Sequence, residues 1–242
     1  MRSHVLGALA PTPSFENVVV VNGFLPTSSV TSPSPDFFPA FLFTSSGLLM
    51  AIPIDAAAQT LAWGINTTVE NRDRKGWQEL ERSGEAARLA KASYADITTE
   101  PVRSLLNNAP DADAKLWAPS SIPDIPTWHT PRTCLIGDAA HALPPNGQGS
   151  AVAFEDAAIL ARLLTSTSEL YSYERMFERL EELRRPRIDT LRKTAIGGAL
   201  KVRTGPWAWY FKKWAFRAFF WWKSGVLSHM GATTYDVDQV EL

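Results

Sequence analysis

Cysteine and long apolar runs are scarce in this chain, and each scarcity excludes a class of protein. The single cysteine, Cys134, cannot form an internal disulfide, which excludes a disulfide scaffold and suits a reducing compartment. The N-terminal stretch "MRSHVLGALAPTPS" has one arginine and only a short apolar run, which argues against a secretory signal. The longest uncharged run, residues 37–54, is broken by prolines and "TSSG", which excludes a membrane span. We therefore expect a cytoplasmic protein.

An excess of charge of either sign is also missing. The chain has 24 Lys and Arg residues, 25 Asp and Glu residues and a net charge of -1. A general nucleic-acid binder would concentrate its basic residues on one face, whereas here they are spread along the sequence. We therefore expect no nucleic-acid partner.

His141 has no second ligand at metal spacing, so the sequence predicts no metal site and favours a structural histidine.

The first part of the sequence predicts an antiparallel sheet. "NVVVV" begins a short buried strand, and the strand candidates "FLFT", "LLMAIPI" and "TLAWGINTTV" follow with turn residues between them. Ser45-Ser46-Gly47 is the expected turn between the first two of these candidates. The pattern mixes apolar runs with partial alternation, as expected where one face packs on a core.

Helical spacing begins near Asn71. The expected inner-face residues of this stretch are Trp77, Leu80, Ala87, Leu89 and Ala90. A second short helix is expected in "TTEPVRSLLNNAP", with Thr98 or Thr99 near its N-cap. Helices are also predicted from about Ser150 to Leu164 and over "SYERMFERLEELRRPRIDTLRKTAIGGAL", where Pro186 should kink or restart the helix.

The most informative stretch is "CLIGDAAHALPPNGQGSAVAFEDAAILARLL", residues 134–164. It predicts a strand, a Gly-Asp turn, a loop of proline and glycine, and a helix. A carboxylate at the carboxyl end of a strand can accept hydrogen bonds from sugar-like hydroxyls. The start of the helix favours negative charge or a carbonyl oxygen, because its first N–H groups lack intrahelical partners.

The segment "GDAAHALPPNGQGSAVAFEDAAILARLL" resembles the second FAD-binding motif of the group A flavoprotein monooxygenases, which share the fold of para-hydroxybenzoate hydroxylase. Many fungal secondary-metabolite hydroxylases belong to this family. "GLLMAIPIDAAAQTLAWGI" resembles the family's substrate-domain strands, "YERMFERLEELRRPRI" resembles its later helix, and "YDVDQVEL" resembles the tail of fungal members.

The resemblance implies an FAD-dependent monooxygenase that acts on a hydrophobic natural product and in which NAD(P)H reduces the flavin. Asp138 would contact the ribityl hydroxyls of FAD. The full set of implied cofactor-binding residues is Gly137, Asp138, Pro144, Pro145, Gly147, Gln148, Gly149 and Ser150. No side chain is assigned as a catalytic acid or base.

The sequence contains no GxGxxG turn, with which members of this family bind the ADP part of FAD. The stretch "RSHVLG", residues 2–7, resembles the segment directly after the family's Asp-Gly motif, so we expect Met1 to lie about where the first FAD segments end. With those contacts absent, we do not expect tight FAD binding by this chain alone. A complementing chain or a homo-oligomer would then complete the site.

Several other residues have simpler interpretations. Glu155 and Asp156 would complement the dipole of the helix that begins near Ser150. Cys134 would be a small buried residue. The arginines of the next helix would form a solvated or salt-bridged face; they are Arg184, Arg185 and Arg187.

The stretch "GPWAWYFKKWAFRAFFWWKSGVL" interleaves tryptophan and phenylalanine with lysine and arginine. One interpretation is an interfacial helix on a membrane surface over residues 206–227. The other is a helix that covers the core or an oligomer contact, and packing stays the default expectation.

The expected fold is α+β, with an antiparallel substrate-domain sheet, helices and a remnant of the FAD-binding α/β domain. The expected regions are a substrate-domain-like part, the remnant with the Gly-Asp motif, and an aromatic C-terminal helical part, over residues 1–127, 128–200 and 201–242. Two alternatives stay open, namely a flavin-independent cyclase or isomerase that reuses the substrate pocket, and a non-catalytic remnant.

Overall fold

The structure is a computed structural model that describes residues 1–145, 147–165, 172–194, 205–223 and 235–241. In chain order the α-helices are α1 (Arg2–Leu6), α2 (Arg74–Arg82), α3 (Glu85–Ser93), α4 (Val102–Asn108), α5 (Asp138–His141), α6 (Gly149–Thr165), α7 (Tyr173–Thr194) and α8 (Pro206–Lys223). The strands are β1 (Ser14–Phe15), β2 (Val19–Pro26), β3 (Ala40–Phe43), β4 (Leu48–Pro53), β5 (Thr60–Thr67), β6 (Lys115–Trp117), β7 (Ser120–Ser121), β8 (His129–Thr130) and β9 (Thr133–Cys134). Short 3-10 turns lie at Gly7–Leu9, Thr27–Ser29 and Val237–Gln239.

These elements form two compact units. The first unit contains the described residues within 1–14, 120–197 and 215–242, and the second contains those within 15–119 and 198–214. The three regions expected from the sequence remain predictions, because compactness alone assigns no role to either unit.

The second unit is built on a five-stranded antiparallel sheet with the strand order β3-β4-β5-β2-β6. β3, β4 and β5 form the predicted meander, and the turn between β3 and β4 contains Ser45-Ser46-Gly47 as expected. β2 lies on the far side of β5, in a register that runs from Val19 opposite Thr67 to Pro26 opposite Thr60. The antiparallel sheet is therefore confirmed, and its role as a substrate domain stays a prediction.

One face of this sheet forms the core of the second unit together with α2, α3 and α4. Successive side chains of a strand point to opposite faces, so every second residue is buried. Gly23 leaves room for the indole of Trp63, whose Nε1 would lie 3.1 Å from a β-carbon at that position. The buried sheet residues are Val19, Val21, Leu25, Leu49, Ala51, Leu61, Trp63 and Ile65.

The helical stretch that begins near Asn71 is divided into α2 and α3 by Ser83 and Gly84. Gly84 adopts a φ of 67°, which an L-residue with a β-carbon rarely tolerates. The interruption changes the helical phase, and Leu89 is 41% exposed, so its prediction as an inner-face residue is wrong. Trp77 is half-buried, and the other predicted inner-face residues, Leu80, Ala87 and Ala90, are buried.

The start of α4 differs from the prediction. The helix begins at Val102 after an N-cap at Pro101, and neither Thr98 nor Thr99 caps it. A residue that precedes proline avoids helical backbone angles, so Glu100 cannot begin the helix.

In the first unit, the strand expected before the Gly-Asp turn is reduced to β9, Thr133–Cys134, which pairs with β8 in an antiparallel hairpin. α6 covers the predicted helix. α7 runs through Pro186 as one element, so the predicted restart is wrong. Within the described residues, no helix combines the length and the apolar content that crossing a bilayer needs.

Candidate functional site

The turn at Gly137 brings the end of the β8–β9 hairpin onto α6. Gly137 has a φ of 57°, and a β-carbon built on it would lie 3.1 Å from the Cβ of Ala153. Positive φ is costly for residues other than glycine, and this approach is too tight for an added methyl group. Glycine is therefore required here both by the backbone angle and by the close packing against α6.

Asp138 begins α5 with its side chain exposed to solvent. The guanidinium of Arg2 donates to the backbone oxygens of Asp138, at 2.9 Å, and of Ala139, at 3.0 Å. Arg2 thus fixes the backbone of this turn and leaves the Asp138 carboxylate available to accept hydrogen bonds from a ligand.

The loop between α5 and α6 is open at its glycines. Gly147 has a φ of 75°, Gly149 is the first residue of α6, and β-carbons at both positions would meet nothing within 4 Å. Ser150 is exposed, and the remaining predicted residues of the loop, Pro144, Pro145 and Gln148, are half-buried. The structure therefore leaves space beside the start of a 17-residue helix, whose first N–H groups attract negative charge.

A buried carboxylate connects the two sides of this site. Asp156 Oδ2 accepts a hydrogen bond from the backbone N–H of Gly137 at 2.8 Å and lies 2.7 Å from His141 Nε2. Asp156 Oδ1 accepts from Arg184 Nε at 2.7 Å. Asp156 is 1% exposed and Arg184 is fully buried. We name these four residues the Asp156 network.

The Asp156 network corrects one interpretation of the sequence and decides another. Asp156 does not act mainly on the helix dipole, since its two oxygens are engaged by Gly137, His141 and Arg184. Of the two alternatives for the arginines of α7, the salt-bridged one is confirmed for Arg184, which is fully buried and pairs with Asp156 and Glu155. A structural role for His141 is confirmed by its burial and by its contact with Asp156.

Glu155 extends the network at its outer side. Its carboxylate accepts from Arg184 Nη2 at 2.6 Å and from Arg187 Nη2 at 3.1 Å. The guanidinium groups of Arg184 and Arg187 lie 5.0 and 4.7 Å from the ring centroid of Tyr235. The ring of Tyr235 thus contacts both arginines.

Glu181 holds the β8–β9 hairpin against α7. Its Oε2 accepts from the backbone N–H of Trp128 at 2.8 Å and lies 3.0 Å from His129 Nδ1. Its Oε1 accepts from Arg185, which also pairs with Asp124. No local pattern in the sequence marks the contact of Glu181 with the hairpin, because Trp128 and His129 lie more than 50 positions earlier in the chain.

The pKa values are explained by these contacts. Burial alone would raise the pKa of Asp156, but the hydrogen bonds from His141, Gly137 and Arg184 outweigh it and hold that pKa below its usual value. The pKa of Glu181 is lowered in the same way, with Trp128 and Arg185 as the lowering partners. Burial, with the nearby carboxylates of Glu181 and Asp156, raises the pKa of the Cys134 thiol to about 12. Cys134 is half-buried rather than fully buried as expected, and it packs against the cluster of Ile159, Leu163 and Leu180.

The second unit carries a separate apolar surface on the sheet face that its helices leave uncovered. Large side chains project from this face with at least 47% of their surface exposed, namely Phe24, Phe41, Phe43 and Trp117. Met50 lies over Gly64 in the middle of the same face, where a β-carbon would be 2.3 Å from its Cε. Clusters of exposed large apolar residues mark binding surfaces more often than single ones do. We name this surface the open sheet face.

The chemistry available at the site around Gly137 and Gly149 is ligand binding through a hydrogen-bond acceptor and a helix start. Asp138 is its exposed hydrogen-bond acceptor, and the start of α6 is its positive pole. Within the part of the chain that the structure describes, no cluster of three or more His, Cys, Asp or Glu residues could hold a metal ion.

Comparisons with a family model and with curated proteins agree with each other. The family described as "FAD binding domain" matches residues 10–194. A salicylate hydroxylase of Pseudomonas putida is 40% identical over 83 residues, which are 34% of this chain and 19% of that protein. The FAD-dependent monooxygenase sor5 of Hypocrea jecorina is 27% identical over 180 residues, which are 67% of this chain and 39% of that protein.

Among solved structures, Klebsiella pneumoniae HpxO in complex with FAD and uric acid is similar, with a TM-score of 0.63 and 19% identity. The match covers 88% of this chain and 51% of HpxO. The chain thus spans about half the length of this solved structure and a smaller share of the curated relatives.

Proposed function

Because the chain belongs to the FAD binding domain family, we propose that it supplies the ribityl- and ring-facing part of the flavin site in an FAD-dependent monooxygenase. The substrate is a hydrophobic small molecule. Gly137, Asp138, Pro144, Pro145 and the residues from Gly147 to Ser150 would contact the flavin, and we name them the flavin cradle. The open sheet face of the second unit would bind a hydrophobic molecule.

One observation carries the proposal. Asp138 is the first residue of α5, and the open glycines Gly147 and Gly149 lie shortly before α6 and at its start. The Asp156 network joins α5 and α6. The chemistry of these positions suits a ligand with a hydroxyl chain at one end and an electron-poor ring with carbonyl oxygens at the other, which is the chemistry of FAD. A flat ring can approach the backbone at Gly147 and Gly149, because neither residue has a side chain in the way.

Each of these residues would have a defined role. The Asp138 carboxylate would accept hydrogen bonds from ribityl hydroxyls, and the first N–H groups of α6 would attract a ring carbonyl oxygen. Gly137 allows the turn to pack on α6, and Arg2 donates to the backbone oxygens of Asp138 and Ala139. Bound FAD, reduced by NAD(P)H, would supply the reaction with oxygen, while the protein supplies binding, orientation and exclusion of water.

The aromatic residues of the open sheet face favour a hydrophobic substrate. Its exposed residues are mainly aromatic, and rings stack favourably on one another and on flat apolar ligands. The substrate class is natural products of fungal secondary metabolism, in keeping with the similarity to sor5, an FAD-dependent monooxygenase of a fungus.

Titration of the purified chain with FAD and with riboflavin, followed by quenching of flavin fluorescence, tests the proposal. Both ligands should bind, because the proposed contacts reach only the ribityl chain and the ring. Asp138→Asn should weaken both by roughly 10-fold, the loss of about one charge-assisted hydrogen bond of ~1.5 kcal/mol.

Asp189→Asn is the matched control, since Asp189 is an exposed carboxylate of the same unit on α7. It should leave both affinities unchanged. If neither flavin binds, or if the two variants behave alike, the proposed cradle is not a flavin site.

A further inference from the structure

α8 presents a continuous aromatic stripe to solvent. Trp207, Tyr210, Phe211 and Trp214 have the spacing i, i+3, i+4 and i+7, which places them on one face of a helix. Their exposed fractions are 81%, 56%, 69% and 60%. We name these four residues the aromatic stripe. The expectation that this region packs over a core is therefore wrong for the stripe.

The charges of the helix all have the same sign. The sequence of α8 contains Lys212, Lys213, Arg217 and Lys223 and no Asp or Glu. Lys213 and Arg217 are exposed along with the stripe. A protein partner that covered the stripe would have to match both an aromatic surface and an unbalanced positive charge. An anionic lipid surface provides both, because its headgroups are negative and its interface is apolar beneath them.

The residue types also favour a lipid interface over a buried protein contact. Tryptophan and tyrosine are enriched at the boundary between headgroups and acyl chains, since each has an apolar ring and a polar N–H or O–H group. Lysine and arginine extend along an apolar surface and keep their charge in water. Helices that lie in the plane of a membrane combine these features.

We propose that the aromatic stripe docks on an anionic membrane surface, with the rings at the level of the headgroups and with Lys213 and Arg217 against lipid phosphates. The docking holds the protein at a membrane, where hydrophobic small molecules concentrate. The stripe shares no residue with the flavin cradle or with the open sheet face, so the proposal does not depend on flavin binding.

Co-sedimentation of the full chain with vesicles tests the proposal. The chain should bind phosphatidylcholine–phosphatidylserine vesicles at least ~10-fold more tightly than pure phosphatidylcholine vesicles, because each lysine or arginine at an anionic surface contributes to binding. Added salt should reduce the difference. The double variant W207S/W214S should lose most of the binding to both vesicle types, and Lys213→Glu should lose binding mainly to the anionic vesicles.

Tyr173→Ser is the matched control, because Tyr173 is an exposed aromatic residue at the start of α7 and lies outside the stripe. It should bind vesicles like the unmodified chain. Circular dichroism checks that every variant is folded, and light scattering measures self-association. The proposal is overturned if the unmodified chain ignores anionic vesicles, if W207S/W214S binds them unchanged, or if that variant instead abolishes a dimer that forms without lipid.

Discussion

Gly137 and Asp156 lie 19 positions apart in the chain, and the backbone N–H of Gly137 donates a 2.8 Å hydrogen bond to the buried carboxylate of Asp156. α6, the helix that follows the loop, therefore supplies the carboxylate that fixes the turn at Gly137 before the loop. As a result, the turn that holds Asp138 is linked to α6 by a hydrogen bond as well as through the loop between them. A flavin that contacts both would meet a surface formed in advance, which lowers the entropic cost of binding.

Replacing Asp156 should destabilise the fold strongly. Asp156→Asn keeps the shape of the side chain but leaves the buried guanidinium of Arg184 with Glu155 as its remaining carboxylate partner. The free energy of unfolding should fall by about 3 kcal/mol, the usual cost of removing one partner of a buried ion pair. Urea denaturation followed by circular dichroism measures the loss.

A double-mutant cycle identifies the cause of this loss. Arg184→Met removes the buried charge, so Asp156→Asn should cost clearly less in that background than in the unmodified chain. Equal costs in both backgrounds would show that the ion pair is not what stabilises this site. Asp189→Asn, on the exposed side of α7, should change stability by less than ~0.5 kcal/mol.

The dependence of stability on pH is set in part by the lowered pKa of Asp156. A carboxyl group whose pKa is lower in the folded state than in the unfolded state stabilises the fold above its unfolded value, about 3.9 for aspartate. This contribution is lost as the pH falls through the folded pKa. The unmodified chain should therefore lose stability more steeply below about pH 4 than Asp156→Asn does. Urea titrations at a series of pH values give both curves, and parallel curves would contradict the assignment.

The strands β3, β4 and β5 and the loop before α6 could be predicted because their patterns are local. Alternation and turn residues define β3, β4 and β5, and the order of Gly-Asp, proline and glycine before a helix marks the loop. The predictions of helix faces and helix starts failed where a glycine or a proline interrupts the helical pattern. Gly84 changes the helical phase and exposes Leu89, and Glu100 cannot begin a helix because proline follows it.

The Asp156 network shows most clearly what sequence spacing could not reveal. Glu155 and Asp156 stand in the second turn of α6, where a dipole effect is the simplest local explanation. Arg184, their shared partner, lies 29 positions after Glu155 and 28 after Asp156, on α7. Only the packing of α6 on α7 brings Glu155, Asp156 and Arg184 together, so no periodic pattern in the sequence marks their ion pairs.

The C-terminal segment should stabilise the first unit through a ring contact. Tyr235 lies over the guanidinium groups of Arg184 and Arg187, and the backbone oxygen of Val240 accepts from Arg162 at 2.9 Å. Tyr235→Leu should lower the free energy of unfolding by about 1 kcal/mol, the usual strength of a partly buried cation–π contact. Tyr235→Phe keeps the ring and should leave stability nearly unchanged. Urea denaturation separates the two variants, and an equal loss for both would assign the effect to the hydroxyl group.

Two glycines of the cradle allow stability and binding to be separated. Gly137→Ala should destabilise the fold by roughly 1–3 kcal/mol, because its φ is positive and its β-carbon would press on Ala153. Gly149→Ala should leave stability equal or raise it by up to about 1 kcal/mol, because alanine favours a helix and its β-carbon meets nothing within 4 Å. The same methyl group would fill the space proposed for the ring, so Gly149→Ala should weaken riboflavin and FAD by several-fold in fluorescence titrations. A variant that is as stable as the unmodified chain and binds both flavins equally well would show that the flavin ring does not lie at the start of α6.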